Sequence, residues 1–568
     1  MSDENNKLKV VLCWHMHQPD YRGPDHSDYQ LPWVYLHGIK DYVDMAYHLE
    51  ANPKARAVVN FAPVLLEQLA DYAEQIQAWL QFGKRIRDPV LGALAGPGIP
   101  TDRKTRRELV KACQRANETH LIKRFSAFDR LIELASWLET HPGSIRYLND
   151  QYMVDLLVWY HLAWMGDSVR KNDLRIKSLQ KKRRSYDLDD RRRLVGLIGE
   201  LISGVIGRYR RLAELGRVEL SVSPYAHPII PLLLDINSTK EAMPDAPLPE
   251  LAAYPDGEPR ARWHIRKGLE VFEQFFGFRP EGCWPSEGAV STDTLRLLEE
   301  EGFRWAASGQ QVLHNSLTAA GDSAALDTNW LHLPYRFNEG RLNCFFRDDG
   351  LSDLIGFKYA DWHADDAVAN LVHHLENIAD ACADEPDSVA SIIMDGENAW
   401  EYYPHNGSYF LTTLYEQLAN HPRLELTTFS DCIRKLKNHR PTLPHIVAGS
   451  WVYGTFSTWI GDPDKNRAWD MLGEAKEAFD QAVASGQLHG QALAEAELQL
   501  ATCEGSDWFW WFGDYNPGQT VSDFERLFRR QLRHLYEMLG EQPPAHLFEV
   551  FASGSGAPAR GGVMKRNV

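Results

Sequence analysis

Short apolar runs that break off into polar residues recur along this chain, and helical patterns separate them. Lys9–Trp14 reads as a buried strand that ends at His15-Met16-His17-Gln18. Ala57–Phe61, Val218–Val222, Gly302–Ser308 and Ser391–Met394 repeat the pattern, and Leu424–Thr428 is a sixth candidate. Between 365 and 380, Val368, Leu371, Leu375 and Ile378 fall near one face of a helix. Strand and helix alternating over most of the chain imply a parallel sheet joined by crossover helices. Chemistry-bearing residues at the C-terminal ends of those strands imply an α/β barrel of the (β/α) type.

Composition narrows the partners. A chain of 568 residues with 44% hydrophobic and 24% charged residues can bury a large core, in two or three structural units. The net charge of −17 argues against a general nucleic-acid binder, which needs a basic surface. Seven cysteines at 13, 113, 283, 344, 382, 432 and 503 form no CxxC pair, so reduced thiols are expected rather than a disulfide framework or zinc ribbon. The start MSDENNKLKVV lacks the basic and apolar regions of a secretory signal, and no stretch approaches the roughly 18 residues of a membrane span. A cytoplasmic location without membrane contact is the expectation. The 18 Trp, 22 Tyr and 23 Phe mostly serve the core, yet several Trp lie beside polar residues, as in sites that take the apolar faces of sugar rings.

Other segments depart from the alternating pattern. Residues 165–215 contain RKNDLRIKSLQKKRRSYDLDDRRRL and read as a solvated basic helical insertion. Leu331–Phe346 reads as a hairpin turning at Asn338-Glu339-Gly340. From about 465 the pattern is helical: Leu472, Ala475, Phe479 and Val483 mark one helix, with others at 488–502 and 521–539, a small bundle packed on the barrel. The tail from 551 to 568, rich in Gly and Ser at its start, is expected to be disordered.

Four segments carry chemistry. In Trp14-His15-Met16-His17-Gln18-Pro19, alternating His residues on an extended segment point to one side. They suit sugar hydroxyls or, given further ligands, a metal. Gly216–Ser221 leads into a proline-bracketed loop bearing His227. In Gly282-Cys283-Trp284-Pro285-Ser286-Glu287-Gly288, Pro285 and Gly288 hold the backbone around Glu287, just before a helix whose dipole would keep a nucleophilic carboxylate ionised. In Ile392-Ile393-Met394-Asp395-Gly396-Glu397-Asn398, a buried run delivers Asp395, and Asp395 and nearby Glu397 would raise each other's pKa and keep one of the two protonated. One acidic and one ionised carboxylate from different strands are the minimum apparatus for glycoside cleavage. Retention and inversion stay equally open from these residues alone.

Taken in order, these motifs resemble glycoside hydrolase family 57, especially its amylopullulanase and α-amylase branch, over about residues 8–540. HMHQPDY, GRVELSVSPYAHPI, GCWPSEGAVS, IIMDGENAWE and GSWVYGTFSTWIGDPDKNRAWDML are similar to the family's five motifs, and SDWFWWFGD to a later segment of amylopullulanase-like members. The resemblance implies an incomplete (β/α)7 barrel with helical insertions and an appended C-terminal helical domain, divided here as 1–445, 446–550 and the tail. It implies a retaining double displacement on α-glucan, with Glu287 as nucleophile and Asp395 as general acid/base. His15, His17, Gln18, His227, Trp284, Glu397, Trp459 and Asp462 would bind substrate, with Arg347 and Asp348 in the site wall. No metal or cofactor is required, and a structural calcium ion stays open, as does the oligomeric state. The absence of extra C-terminal modules favours storage glycogen or maltodextrin over extracellular starch. A 4-α-glucanotransferase with the same pair, a metal-dependent hydrolase or deacetylase built on His15 and His17, and a silent glucan-binding protein are the competing readings.

Overall fold

The computed structural model describes residues 7–321, 329–437 and 440–556. In chain order its strands are β1 (Leu8–Met16), β2 (Ala57–Phe61), β3 (Val218–Val222), β4 (Gly282–Cys283), β5 (Trp305–Gly309), β6 (Tyr335–Phe337), β7 (Asn343–Arg347), β8 (Val389–Asp395), β9 (Leu424–Thr427) and β10 (Thr442–Leu443). Seven of them, β1–β2–β3–β4–β5–β7–β8, close into a parallel ring, because β8 pairs with both β7 and β1. This is the (β/α) barrel that the strand pattern implied, with the seven strands that the family resemblance implied. β1 and β2 are buried along their whole length, which is why they are near-continuous apolar runs rather than alternating ones.

The ring has thin places. β4 is two residues long, and β7 meets β8 at one residue pair, Arg347 opposite Ser391. Two further bonds strengthen that seam: Asp348 N–H donates to Ser391 O at 2.8 Å, and Arg347 Nε donates to Ile393 O at 2.9 Å. β9 lies outside the ring, beside the first half of β1, while β2 takes over along its second half. The expected 331–346 hairpin forms as β6 antiparallel to β7, but its second arm is also a barrel strand.

A series of helices joined by short links runs from Pro63 to Glu214, so the basic stretch is one part of a larger helical region between β2 and β3. Its last helix, Leu188–Glu214, opens on a reciprocal cap in which the Asp187 and Asp190 side chains each accept a backbone N–H. At the C-terminus, Pro463–Ala484, Gly490–Cys503 and Gly518–Met538 match the three expected helices, and a short fourth, Ser506–Trp511, lies between the last two. The tail is ordered at its start. Phe551 packs on Phe512 and Phe528, and the Ser555 and Gly556 N–H groups donate to Asp514 O and Asn516 O. Apolar Phe551 anchors what the Gly/Ser content suggested was free; residues 557–568 lie outside the described residues.

Buried Glu504 ties the C-terminal helices to the barrel. It accepts from Arg260 Nε (3.0 Å) and Nη2 (2.7 Å) and from Tyr254 Oη (2.6 Å), and lies 2.7 Å from His264 Nε2. Against burial, the Arg260 charge and the His264 hydrogen bond hold its carboxyl well below the usual range. Two residues on begins the segment that reaches the site.

Candidate active site

The strand register brings the polar residues to one level at the barrel mouth. His15 lies opposite Asn60 of β2 on one side and Asp395 of β8 on the other, and Asn60 lies opposite Ser221 of β3. His15 Nδ1 is 2.7 Å from Asn60 Oδ1, whose amide nitrogen donates to Ser221 Oγ at 3.1 Å. An amide oxygen can only accept, so Nδ1 of His15 carries the proton and its Nε2 accepts. His227 Nε2, 3.2 Å away, must then donate, which leaves His227 Nδ1 to accept from Ser506 Oγ at 3.0 Å. Both rings are neutral in this chain. Accordingly, burial and then the adjacent His17 lower His15 to about 3 and push His227 well below the ordinary imidazole value.

His17 stacks on His227 at 3.8 Å between centroids, and its Nε2 lies 2.9 Å from Asp507 Oδ1. The C-terminal helical region therefore contributes Ser506 and Asp507 to a cluster founded on β1. The ring nitrogens of His15, His17 and His227 lie within 4.8 Å of one another, close enough to share a metal ion. Binding one through His15 and His227 would first break the hydrogen-bond chain that now uses their Nε2 atoms.

Glu287 sits on a short turn after β4, with φ 57° and ψ 24°. A left-handed backbone at a non-glycine residue costs about 1 kcal/mol or more, so the surroundings hold it there. Trp451 is the main restraint. Its Nε1 donates to Glu287 Oε2 at 3.0 Å and its backbone N–H to Glu287 O at 3.2 Å. His227 Nδ1 lies 3.9 Å from Glu287 Oε1. Gly288 must be glycine, because its φ is +57° and a Cβ would come within 2.8 Å of the Trp284 ring. Asp395 ends β8, and Asn398 Nδ2 donates to its Oδ2 at 2.6 Å.

The two carboxylates differ electrostatically from expectation. Burial, with the Asp395 charge second, raises Glu287 well above the carboxylate range; the following helix does not keep it ionised, because that helix is capped by Ser291, four residues on. Burial also raises Asp395, against the Asn398 hydrogen bond, and of the expected mutual push the structure shows one side, Glu397 being raised by burial and then by the Asp395 charge. Two half-buried carboxylates, one of them feeling the other's charge, titrate as a pair.

Other expected contacts are redirected. Glu397 is buried, and its Oε1 lies 3.1–3.3 Å from donors on the His17 backbone, Gln18 and Tyr42, so Gln18 and Glu397 brace the His15–His17 segment from behind. Trp284 is sealed at 0% exposure and meets Trp451 edge-on at 5.3 Å, backing the residue that holds Glu287. Trp459 is also fully buried, against Trp510 and Trp469, and cannot offer a face to a sugar in this arrangement. Asp462 caps the helix Pro463–Ala484. Asp348 caps the helix Asp349–Asp353 and lies 3.0 Å from His332 Nε2; against burial, it lifts His332 to about 9. Asn60, Asn398, Trp451, Ser506 and Asp507 were not singled out from sequence.

A cleft of about 520 Å³, counting its open mouth, adjoins Asp395 and Trp451.

The sequence model of glycosyl hydrolase family 57 matches residues 11–444. No curated protein matches. Among solved structures, the chain is similar to a family 57 branching enzyme from the archaeon Thermococcus kodakaraensis (15% identity, 94% of this chain, 90% of that one, TM-score 0.54). It is also similar to an α-amylase from Thermotoga maritima (12% identity, 94% and 97%, TM-score 0.52) and a 4-α-glucanotransferase from Thermococcus litoralis (14% identity, 94% and 60%, TM-score 0.51). At these identities the likeness is one of fold.

Proposed function

The chain belongs to glycosyl hydrolase family 57 and is a glycoside hydrolase; from that premise we propose that it cleaves α-glucosidic bonds of glycogen, starch or maltodextrin by retaining double displacement. Glu287 attacks the anomeric carbon while Asp395 protonates the departing oxygen; Asp395 then takes the proton of the incoming water. The observation that carries this reading is a pair of carboxylates at the barrel mouth, one acting on the other by its charge. Glu287 and Asp395 leave different strands, each fixed by one donor, Trp451 or Asn398, close enough for one charge to raise the other. Of the His cluster, His17 Nδ1 is the nitrogen left without a partner among the described residues and so the one available to a sugar hydroxyl, while His15 and His227, with both ring nitrogens engaged, hold that ring in place.

The structural neighbours named above include an amylase, a branching enzyme and a glucanotransferase, which supports α-glucan as the substrate class. All seven cysteines are buried and unpaired, and among the described residues no helix is long and apolar enough to cross a membrane; both support a cytoplasmic site of action. Purified protein incubated with amylose, pullulan and maltotriose should yield shorter glucans and, from maltotriose, glucose and maltose. A ladder longer than maltotriose would replace hydrolysis by 4-α-glucanotransfer. Full loss of activity with a chelator, restored by zinc, would replace it by metal chemistry on the His cluster.

The shared proton also fixes a pH dependence. The competent pair carries one proton, and both groups are raised, so the alkaline limb of kcat/KM is expected above the ordinary carboxylate range. Asn398 stabilises the charged form of Asp395. Asn398→Ala should therefore raise Asp395 further and move the alkaline limb upward, measured on maltotriose. A limb that stays put or moves down would remove Asp395 from the acid role.

A further inference from the structure

We propose that Arg347 is a positioning residue for both carboxylates of the pair, holding Asp395 through the β8 backbone and Glu287 through Trp451. The inference rests on the glycoside-cleaving reading above. Arg347 is the last residue of β7, where the register sets it opposite Ser391 of β8 and Gly309 of β5. It is buried and lines one cleft together with Asp395 and Trp451.

Toward β8, Arg347 Nε donates to Ile393 O at 2.9 Å, two residues before Asp395. Toward Glu287, the guanidinium lies over the Trp451 ring, 5.5 Å from its centroid, and is attracted to the ring face. That indole donates to Glu287 Oε2, and the Trp451 backbone N–H donates to Glu287 O. Gly309 lets the Trp451 loop come so close, since a Cβ there would meet Trp451 Cα at 2.6 Å. Arg347 Nη1 and Nη2 donate to Asp349 and Asp353, each at 2.6 Å, and these two bonds fix the plane of the fork.

The seam between β7 and β8 does not need the charge, because Asp348 N–H already bonds Ser391 O. The charge adds a field at Asp395. Burial raises Asp395, and the Asn398 hydrogen bond, the His17 charge and the Arg347 charge pull it down again. The acids that interact with Asp395 are Glu287, on the turn after β4, and Glu397, in its own loop. Asp349 and Asp353 meet Arg347 from the helical turn after β7 and offset part of its charge, and Asp348 lies beside Asp349. Removing the Arg347 charge therefore raises Asp395. Removing the Asp353 charge uncovers the guanidinium and lowers Asp395. A brace for the backbone alone, or a contact to the departing sugar, would produce neither shift.

The test follows kcat/KM on maltotriose against pH, and turnover of α-maltotriosyl fluoride, whose leaving group puts no sugar on the Asp395 side of the pair. Arg347→Met should move the alkaline limb up by about one pH unit. It should also slow fluoride turnover by about tenfold or more, as the pair loses its alignment. Arg347→Lys keeps the charge without the fork, so its limb should stay near the wild-type position while fluoride turnover still falls. Asp353→Asn, at a side chain 51% exposed, should fold normally and move the limb down, by less than the Met variant moves it up. Wild-type fluoride turnover in Arg347→Met would make Arg347 a sugar contact. Limbs that stay put, or move the same way in the Met and Asn variants, would make it a backbone brace. Either result overturns the positioning role while leaving glycoside cleavage intact. Should Arg347→Met fail to fold, Asp353→Asn decides alone: a downward shift sustains the role, and a limb unmoved or raised overturns it. A wild-type enzyme that consumes neither substrate would overturn both readings.

Discussion

Glu287→Ala is expected to lower glucan cleavage by about 10⁴-fold or more, since a missing nucleophile removes the covalent route altogether. The fold should survive. Glu287 makes its side-chain bond to Trp451, and relieving a left-handed residue of its longer side chain adds no strain. Azide then separates the roles of the two carboxylates. In Glu287→Ala it can enter the vacated space and attack the α-fluoride directly, giving a β-glycosyl azide. In Asp395→Ala the glycosyl-enzyme still forms from the fluoride, and azide displaces Glu287 to give the α-azide. Product stereochemistry by NMR reads both outcomes. An α-azide from the Glu287 variant, or near wild-type turnover by it, would reverse or remove the assignment. This test matters because the electrostatics alone do not assign the roles: burial raises both groups, and the charge of Asp395 adds to the rise at Glu287.

The barrel was largely legible because parallel strands buried on both faces are mostly apolar, as β1, β2, β5 and β8 are, while β3 showed as Val218, Leu220 and Val222 alternating with Glu219 and Ser221. β4 escaped notice because two residues between Pro280 and Pro285 carry no period. β7 was seen only as a hairpin arm, because its ring partners β5 and β8 are distant in sequence. In the site, His15, His17, His227, Glu287 and Asp395 stood out by their places at strand ends or in the loops just beyond them. Trp451 did not, because its partner Glu287 is 164 positions away and its own segment is irregular. Trp459 looked more like a sugar platform, yet its neighbour Ile460 and the core around Trp469 draw it inside. Asp507 meets His17 across 490 positions, a separation that no local pattern marks. Only the dense aromatic stretch around it hinted that the segment was special.

Glu504→Gln is expected to destabilise the protein by about 3–5 kcal/mol, the usual cost of removing one partner from a buried charge pair. Glu504 and Arg260 are both buried, and the guanidinium would be left with a neutral amide among His264 and Tyr254. Thermal or urea unfolding of the full chain reads the loss. Its pH dependence carries the sign. The Glu504 carboxyl is held below its unfolded value of about 4.3, so its contribution is complete above that pH and is lost as pH falls toward the much lower folded value. The gap between wild type and variant should therefore close in acid. Arg260→Met added to Glu504→Gln should recover part of the loss, because the orphaned charge goes with it. The effect should extend to activity below the melting range. Gly505 links Glu504 directly to Ser506 and Asp507, which bond His227 and His17. Loosening the anchor should raise KM for maltotriose more than it lowers kcat, since the His cluster loses its far support while Glu287 and Asp395 keep theirs. A variant as stable as wild type, with a gap that does not vary with pH, would mean that the network is relieved by water and that the helical domain is held by its apolar faces alone.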